Sequence, residues 1–192
     1  MRQPWILDMY MTVKPIYGHQ EGAEIGYNPH KPGRPSHALP SWFVRGLRLV
    51  LDVEVHPGKA HAPRHGTPAL WALWDRLPKE CRPWLACGDA AFGNEGLMSE
   101  CERRAQQYLF RLRQSPGVKR LIHSVIGATT TRWTKMTRGW SATDSKLRLM
   151  GWTIARRVLV LRRLKQRRLE EPDPSVPALP WTEVLAVAPE YE

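Results

Sequence analysis

Residues 5–15, "WILDMYMTVKP", run apolar almost throughout. Trp5, Ile6, Leu7, Met9, Met11 and Val13 suit a β-strand, Pro15 closes the run, and Asp8 stands inside it. Tyr10 shares a face with Asp8, because side chains alternate along a strand. Residues 16–41, "IYGHQEGAEIGYNPHKPGRPSHALPS", are rich in Gly, Pro and His and read as short strand pieces and turns. "WFVRGLRLVLDVEVHPG" gives two β-like runs broken at Gly46, a predicted hairpin. In "HGTPALWALWDRLP", Leu70, Leu73, Trp74 and Leu77 fall on one helical face. Thr67 is the expected N-cap there, Pro68 the first helical residue, and Pro78 the stop.

The next stretch predicts strand, turn, helix, strand. Trp84 to Ala86 form a short apolar strand, Gly88-Asp89 lie at its C-terminal end, a helix runs from about Asn94 to Ala105, and Tyr108 to Leu112 extend again. An acid at the end of the first strand of a β-α-β unit stands where α/β folds place their sites. "PGVKRLIHSVIG" predicts a short helix. Beyond it, "GWSATDSKLRLMGW", "RRVLVLRR" and "WTEVLAVAPEYE" predict strands, with a basic, Pro-rich break at Lys165 to Pro180.

At 192 residues and 42% hydrophobic composition the chain can bury a core. No apolar run reaches the roughly 18 to 20 residues that span a bilayer, and no signal-peptide h-region opens the chain. Cys81, Cys87 and Cys101 lack Cys-x-x-Cys spacing and read as reduced thiols of a cytoplasmic protein.

The net charge of +11 is unevenly placed: from Arg103 to Arg168 there are 18 Lys and Arg against one acid, Asp144. Counterion release from a phosphate backbone favours a polyanionic partner for such a segment. A solvated basic face or an anionic membrane surface is the competing reading. Nine Trp and no amphipathic anchor favour nucleic acid.

Two acids carry the candidate chemistry. Asp8 is either a metal ligand or an edge-strand acid facing solvent, since an unpaired carboxylate in a buried strand is costly. Asp89, in "CGDAAFGNEG", lies among small residues that permit a close approach by ligand or backbone. Carboxylates on neighbouring strands could hold Mg²⁺, and a pair of such ions activates a water or a 3′-hydroxyl. Two Asp about 80 positions apart leave an ordinary turn acid as the alternative. His61 and His65 stand four apart, but Pro63 argues against one helical face, so they read as loop and cap residues. "HKPGRPSH" suits a phosphate contact or a plain surface turn. Trp133, Trp140 and Trp152 stand among Arg and Lys, as bases to stack on or as core.

The segments "TVKPIYGHQEGAEIGYNPHKPGRPSH", "GLRLVLDVEVHPG", "GDAAFGNEG", "YLFRLRQSPGVKRLI" and "RRVLVLRR" closely resemble the DDE transposases of bacterial insertion sequences. The resemblance covers essentially the whole chain. It implies an α/β fold, an RNase H-like mixed sheet with flanking helices, plus a β-rich insertion segment towards the C-terminus. Residues 1–118 would be a partial core and 119–192 a basic insertion, the whole truncated at both ends. The implied activity is Mg²⁺- or Mn²⁺-dependent cleavage and transfer of DNA strands by Asp, Asp and Glu. The implied partners are insertion-sequence DNA ends, with a homo-oligomer or a full-length transposase, at the nucleoid and without membrane.

On this resemblance Asp89 takes the place of the second acid. The first strand of the group reads Asp-x-Asp-x-Thr, with the catalytic acid two before the Thr. Here it reads Asp8-Met9-Tyr10-Met11-Thr12, so Tyr10 holds that position and Asp8 lies about 6 to 7 Å away along the strand. A neutral phenol is no substitute for a carboxylate on Mg²⁺. Asp8 and Asp89 are nonetheless the candidate catalytic and metal residues. The third acid belongs to a helix with an Ala-Asp-x-Glu-Asn signature, and Glu183, Glu190 and Glu192 do not match it. Lys119, Arg120, Arg156, Arg157, Arg162 and Arg163 are the expected DNA contacts. The function so implied is that of a catalytically incomplete transposase fragment. A non-catalytic DNA-binding or transposase-interfering protein is the alternative.

Overall fold

Ten strands and three α-helices form along residues 4–28, 31–60 and 62–163, which the computed structural model describes, the side chains of 62–66 excepted. Contacts divide the chain between Ser115 and Pro116 into two units.

The first unit is built on β1 (Ile6–Pro15), β2 (Glu24–Ile25), β3 (Pro35–Val44), β4 (Leu49–Val53), β5 (His56–Pro57), α1 (Ala62–Arg76), β6 (Leu85–Gly88), α2 (Glu95–Arg103) and β7 (Gln107–Phe110). Its sheet runs β2-β3-β1-β6-β7, with β4 and β5 also paired to β3. Along β4-β3-β1-β6-β7, β3 is antiparallel to both neighbours, and β1, β6 and β7 are mutually parallel. α1 crosses from β5 to β6 and α2 from β6 to β7. This is the RNase H-like order, with β1 in the middle. Asp8 is therefore on a central strand, and the edge-strand alternative does not hold.

Alternation in β1 decides which face carries the core. Leu7 and Met9 point to one side with Trp42 and Ala86, and are covered by Leu70, Trp71, Leu73 and Trp74 of α1 and Leu97 and Cys101 of α2. Burying these large side chains contributes about 1.5–3 kcal/mol each. α2 starts as expected, with the Asn94 side chain accepting from the Leu97 amide at 3.1 Å. The hairpin at Gly46 is present, and Gly46 adopts φ +83 in its turn.

Two elements differ from expectation. α1 begins at Ala62 rather than after Thr67, so Pro68 lies inside the helix and Thr67 is no cap. The buried face of α1 holds the helix despite the hydrogen bond that Pro68 omits. β3 extends back to Pro35, through what the sequence presents as turns. Its inward positions, Ser36, Ala38, Pro40, Trp42 and Val44, are all buried, but Ser and Pro conceal the alternation.

The second unit holds α3 (Pro116–Gly127), β8 (Thr134–Lys135), β9 (Trp140–Leu147) and β10 (Arg156–Arg163), the strands forming an antiparallel sheet in the order β10-β9-β8. The β-strand predicted in "WTEVLAVAPEYE" and the break at Lys165 to Pro180 lie outside the described residues. No described helix is long and apolar enough to cross a membrane.

A charge network joins α1 to α2. Arg104 donates to Glu100 and to Asp75 of α1, both at 2.6 Å, and covers the Trp71 ring at 4.6 Å. Hydrogen bonds from Arg103 and Arg104 hold the Glu100 carboxyl at about 2, against an ordinary 4.5. A depressed carboxylate stabilises the fold fully above its unfolded value and stops doing so as pH falls through its folded one. Glu100→Gln should therefore lower the urea midpoint at pH 6, with the difference from the parent shrinking between pH 4.5 and about 2. A difference constant over that range would show that Glu100 is not coupled to the two arginines.

Candidate functional site

Asp8 sits between Phe43 of β3 and Cys87 of β6 in the strand register. Its side chain is 13% exposed, and its Oδ2 accepts from Arg45 Nε at 2.8 Å. Arg45 is the first residue after β3, tied back to β1 by its amide, which donates to the Ile6 carbonyl at 2.9 Å. The bond to Asp8 raises the Arg45 guanidinium above its usual range, against a smaller opposing effect of burial. Cys87, the Asp8 neighbour across β6, has its thiol pushed up, chiefly by burial. The sequence offered no sign of Arg45, because only the hairpin brings it to Asp8.

Asp89 follows directly on β6. Pairing ends with Met9 opposite Gly88, so one further step in the parallel register sets Asp89 level with position 10, not position 8. Asp89 is exposed; its Oδ1 accepts from the Ala91 amide at 2.8 Å and its carbonyl from the Phe92 amide at 3.1 Å, a tight Asx turn into α2. The small residues around it serve the chain's own packing. A Cβ on Gly88 would stand 2.9 Å from the Phe92 Cβ, and one on Gly93 would stand 2.3 Å from the Arg111 carbonyl oxygen.

Tyr10 occupies the level of Asp89. It is 50% exposed, with its ring edge-on to Phe43 at 5.9 Å. The two acids thus lie on adjacent strands with a register offset of two residues, and the nearer one is held by a guanidinium. Among the described residues no group of three or more His, Cys, Asp or Glu is placed to hold a metal. The donor set at this end of β1 does not fit a pair of divalent ions: it offers one carboxylate at the level of Asp89, a phenol beside it, and a second carboxylate already charge-paired. Glu183, Glu190 and Glu192, and the side chains of His61 and His65, lie outside the described residues.

The expected DNA contacts divide by surroundings. Lys119 and Arg120 are exposed on α3. Arg157 is exposed and forms a two-pronged pair with Asp144, which lowers the Asp144 carboxyl. Arg162 covers the Trp133 ring at 3.8 Å and Arg163 the Trp140 ring at 5.0 Å. Arg156 is 4% exposed, over Trp152 at 5.3 Å, and Trp152 is itself buried. Arg156 and Trp152 therefore belong to the interior of the unit rather than to a surface that meets phosphates or bases.

Residues 2–170 match the family described as transposase DDE domain, group 1. No curated relative matches. Among solved structures, the chain is similar to one described as a piggyBac transposase synaptic complex with hairpin DNA, at 12% identity and a TM-score of 0.48. That match covers 81% of this chain and 32% of the other, so the chain spans about a third of its neighbour's length.

The Arg45–Asp8 pair has a measurable energy. Arg45→Met leaves a largely buried carboxylate without its cation and should cost about 1 kcal/mol in urea unfolding, a figure held down by the exposure of Arg45. In an Asp8→Asn background the same change should cost less. Equal costs in both backgrounds would mean that the pair is not coupled.

Proposed function

Because the chain belongs to the transposase DDE domain family, group 1, we propose that it serves DNA transposition as a DNA-binding polypeptide whose described acids do not by themselves assemble a cutting site. The observation that carries this reading is the offset at β1: one step past the last pair, Met9 with Gly88, the register leads to Tyr10, not a carboxylate, beside Asp89, and Asp8 is engaged by Arg45. Two-metal phosphodiester chemistry needs carboxylates that bridge and position both ions. Within this reading, the divalent ions of the family would call on Asp89 first, with Asp8 a distant second.

The basic unit supports DNA as the partner. Lys119 and Arg120 on α3 and Arg157 and Arg163 on β10 are exposed cations on two elements of one unit, and Arg162 lies over the Trp133 ring. Guanidinium groups held against an indole lose little freedom when they meet a phosphate, which favours binding. Such contacts position DNA without reading its sequence.

The purified chain should bind labelled duplex DNA with an affinity that falls steeply with salt. It should leave supercoiled plasmid unnicked and unjoined in Mg²⁺ or Mn²⁺. Tyr10→Asp alone should not start cutting. Nicking by the parent chain that disappears in Asp89→Asn would overturn the incomplete-site reading, and salt-insensitive or absent DNA binding would overturn the DNA-binding one.

A further inference from the structure

The end of β1 remote from Asp8 gathers a second set of cations. β1 and β3 pair to Pro15 opposite Ser36, with Lys14 opposite His37, and the Ile16 amide continues the ladder to the Pro35 carbonyl at 2.9 Å. That register brings Tyr17 beside the segment leading into β3. There Lys31-Pro32-Gly33-Arg34 close a turn, the Arg34 amide donating to the Lys31 carbonyl at 3.3 Å, with Gly33 at φ +77. Pro then Gly at the two central positions is the pattern of a type II turn. The Lys31 amide also donates to Asn28 Oδ1 at 3.1 Å, which fixes the start of the turn.

Both ends of the turn converge on Tyr17. The Lys31 ammonium donates to the phenol oxygen, and the Arg34 guanidinium lies over the ring at 4.5 Å. Tyr17 is 67% exposed, and Lys14, Lys31 and Arg34 are exposed as well. The phenol is lowered from its ordinary value, first by the Lys31 hydrogen bond and then by the charges of Lys31, Arg34 and Lys14. Of the nearby acids, Glu24 stands opposite Ser36 on β2 and is paired with Lys59 at 3.0 Å. Glu21 precedes it in an exposed turn.

We propose that Lys14, Tyr17, Lys31 and Arg34 form a phosphate-binding site within the first unit, distinct from Asp8 and Asp89. The tyrosine positions Lys31 and Arg34 and supplies a hydroxyl, while the turn prevents the two cations from dispersing into solvent. Three cations around one donor group match the charge and oxygen count of a phosphodiester or a free phosphate. Lys14 shares its face of β1 with Asp8, Tyr10 and Thr12, and lies six residues, about 20 Å, beyond Asp8. A duplex along that face covers the interval in about six base pairs. Nucleic acid as the source of the phosphate rests on the function proposed above; the site itself does not.

The test uses the full chain and the double variant Lys31→Ala/Arg34→Ala, with matched thermal melts to confirm folding. Anisotropy of a labelled duplex is followed across NaCl concentrations, and the amide chemical shifts of positions 31, 33 and 34 are followed against sodium tripolyphosphate. The expected result is saturable shifts in the parent, absent at the remaining amides in the variant. The variant should also show a salt slope reduced by about two and DNA affinity several-fold weaker. Tripolyphosphate shifts without DNA binding would uphold the site, assign it to free phosphate, and defeat the DNA reading. Amides unmoved by tripolyphosphate would overturn the proposal, and an unchanged salt slope with DNA still bound would defeat nucleic acid as the source of its phosphate.

Discussion

Four residue pairs hold β1 to β6 in parallel, from Ile6 opposite Leu85 to Met9 opposite Gly88, and most of the first unit follows from them. The pairing puts Leu7 and Ala86 together on the face that α1 and α2 cover, so the core and the register depend on each other. A slip of one residue would turn Asp8 into that core and Leu7 out of it, which desolvation of a carboxylate forbids. The same register determines which residue stands beside Asp89. It selects position 10, and a tyrosine stands there.

Arg45 makes Asp8 tolerable where it stands. Asp8 is mostly enclosed on a central strand, where a lone carboxylate would be costly; the guanidinium delivered by the β3–β4 turn offsets its charge at 2.8 Å. A divalent ion would have to compete with that bond and would find no second carboxylate at its level among the described residues. The acid, the turn and the register support one another.

Local chemistry made part of this readable from sequence. The helix start at about Asn94, the hairpin at Gly46 and the apolar run inside "RRVLVLRR" carry their signals within a few residues, and α2, the β3–β4 turn and β10 follow them closely. The length of β3 was hidden, because Ser36 and Pro40 occupy inward positions where an apolar residue would have signalled a strand. The start of α1 was misplaced by reading Thr67-Pro68 as a cap, a local signal that packing overrides. At the candidate site, Asp89 at a strand end was legible, as was a tyrosine at position 10, where the resemblance implies an acid. The Arg45–Asp8 bond and the meeting of Tyr17 with Lys31 and Arg34 were not, since each joins segments whose proximity exists only once β1 and β3 are paired. Burial of Arg156 was hidden likewise, because a run of basic residues looks equally exposed until the strand assigns alternate faces.

The central claim is that position 10, rather than position 8, is the metal-facing partner of Asp89. Electron paramagnetic resonance of Mn²⁺ measures this directly as free ion lost on titration with protein. The account predicts no saturable site in the parent chain, a new one-ion site in Tyr10→Asp, and loss of that site when Asp89→Asn is added. A saturable Mn²⁺ site already present in the parent chain and removed by Asp8→Asn would contradict it.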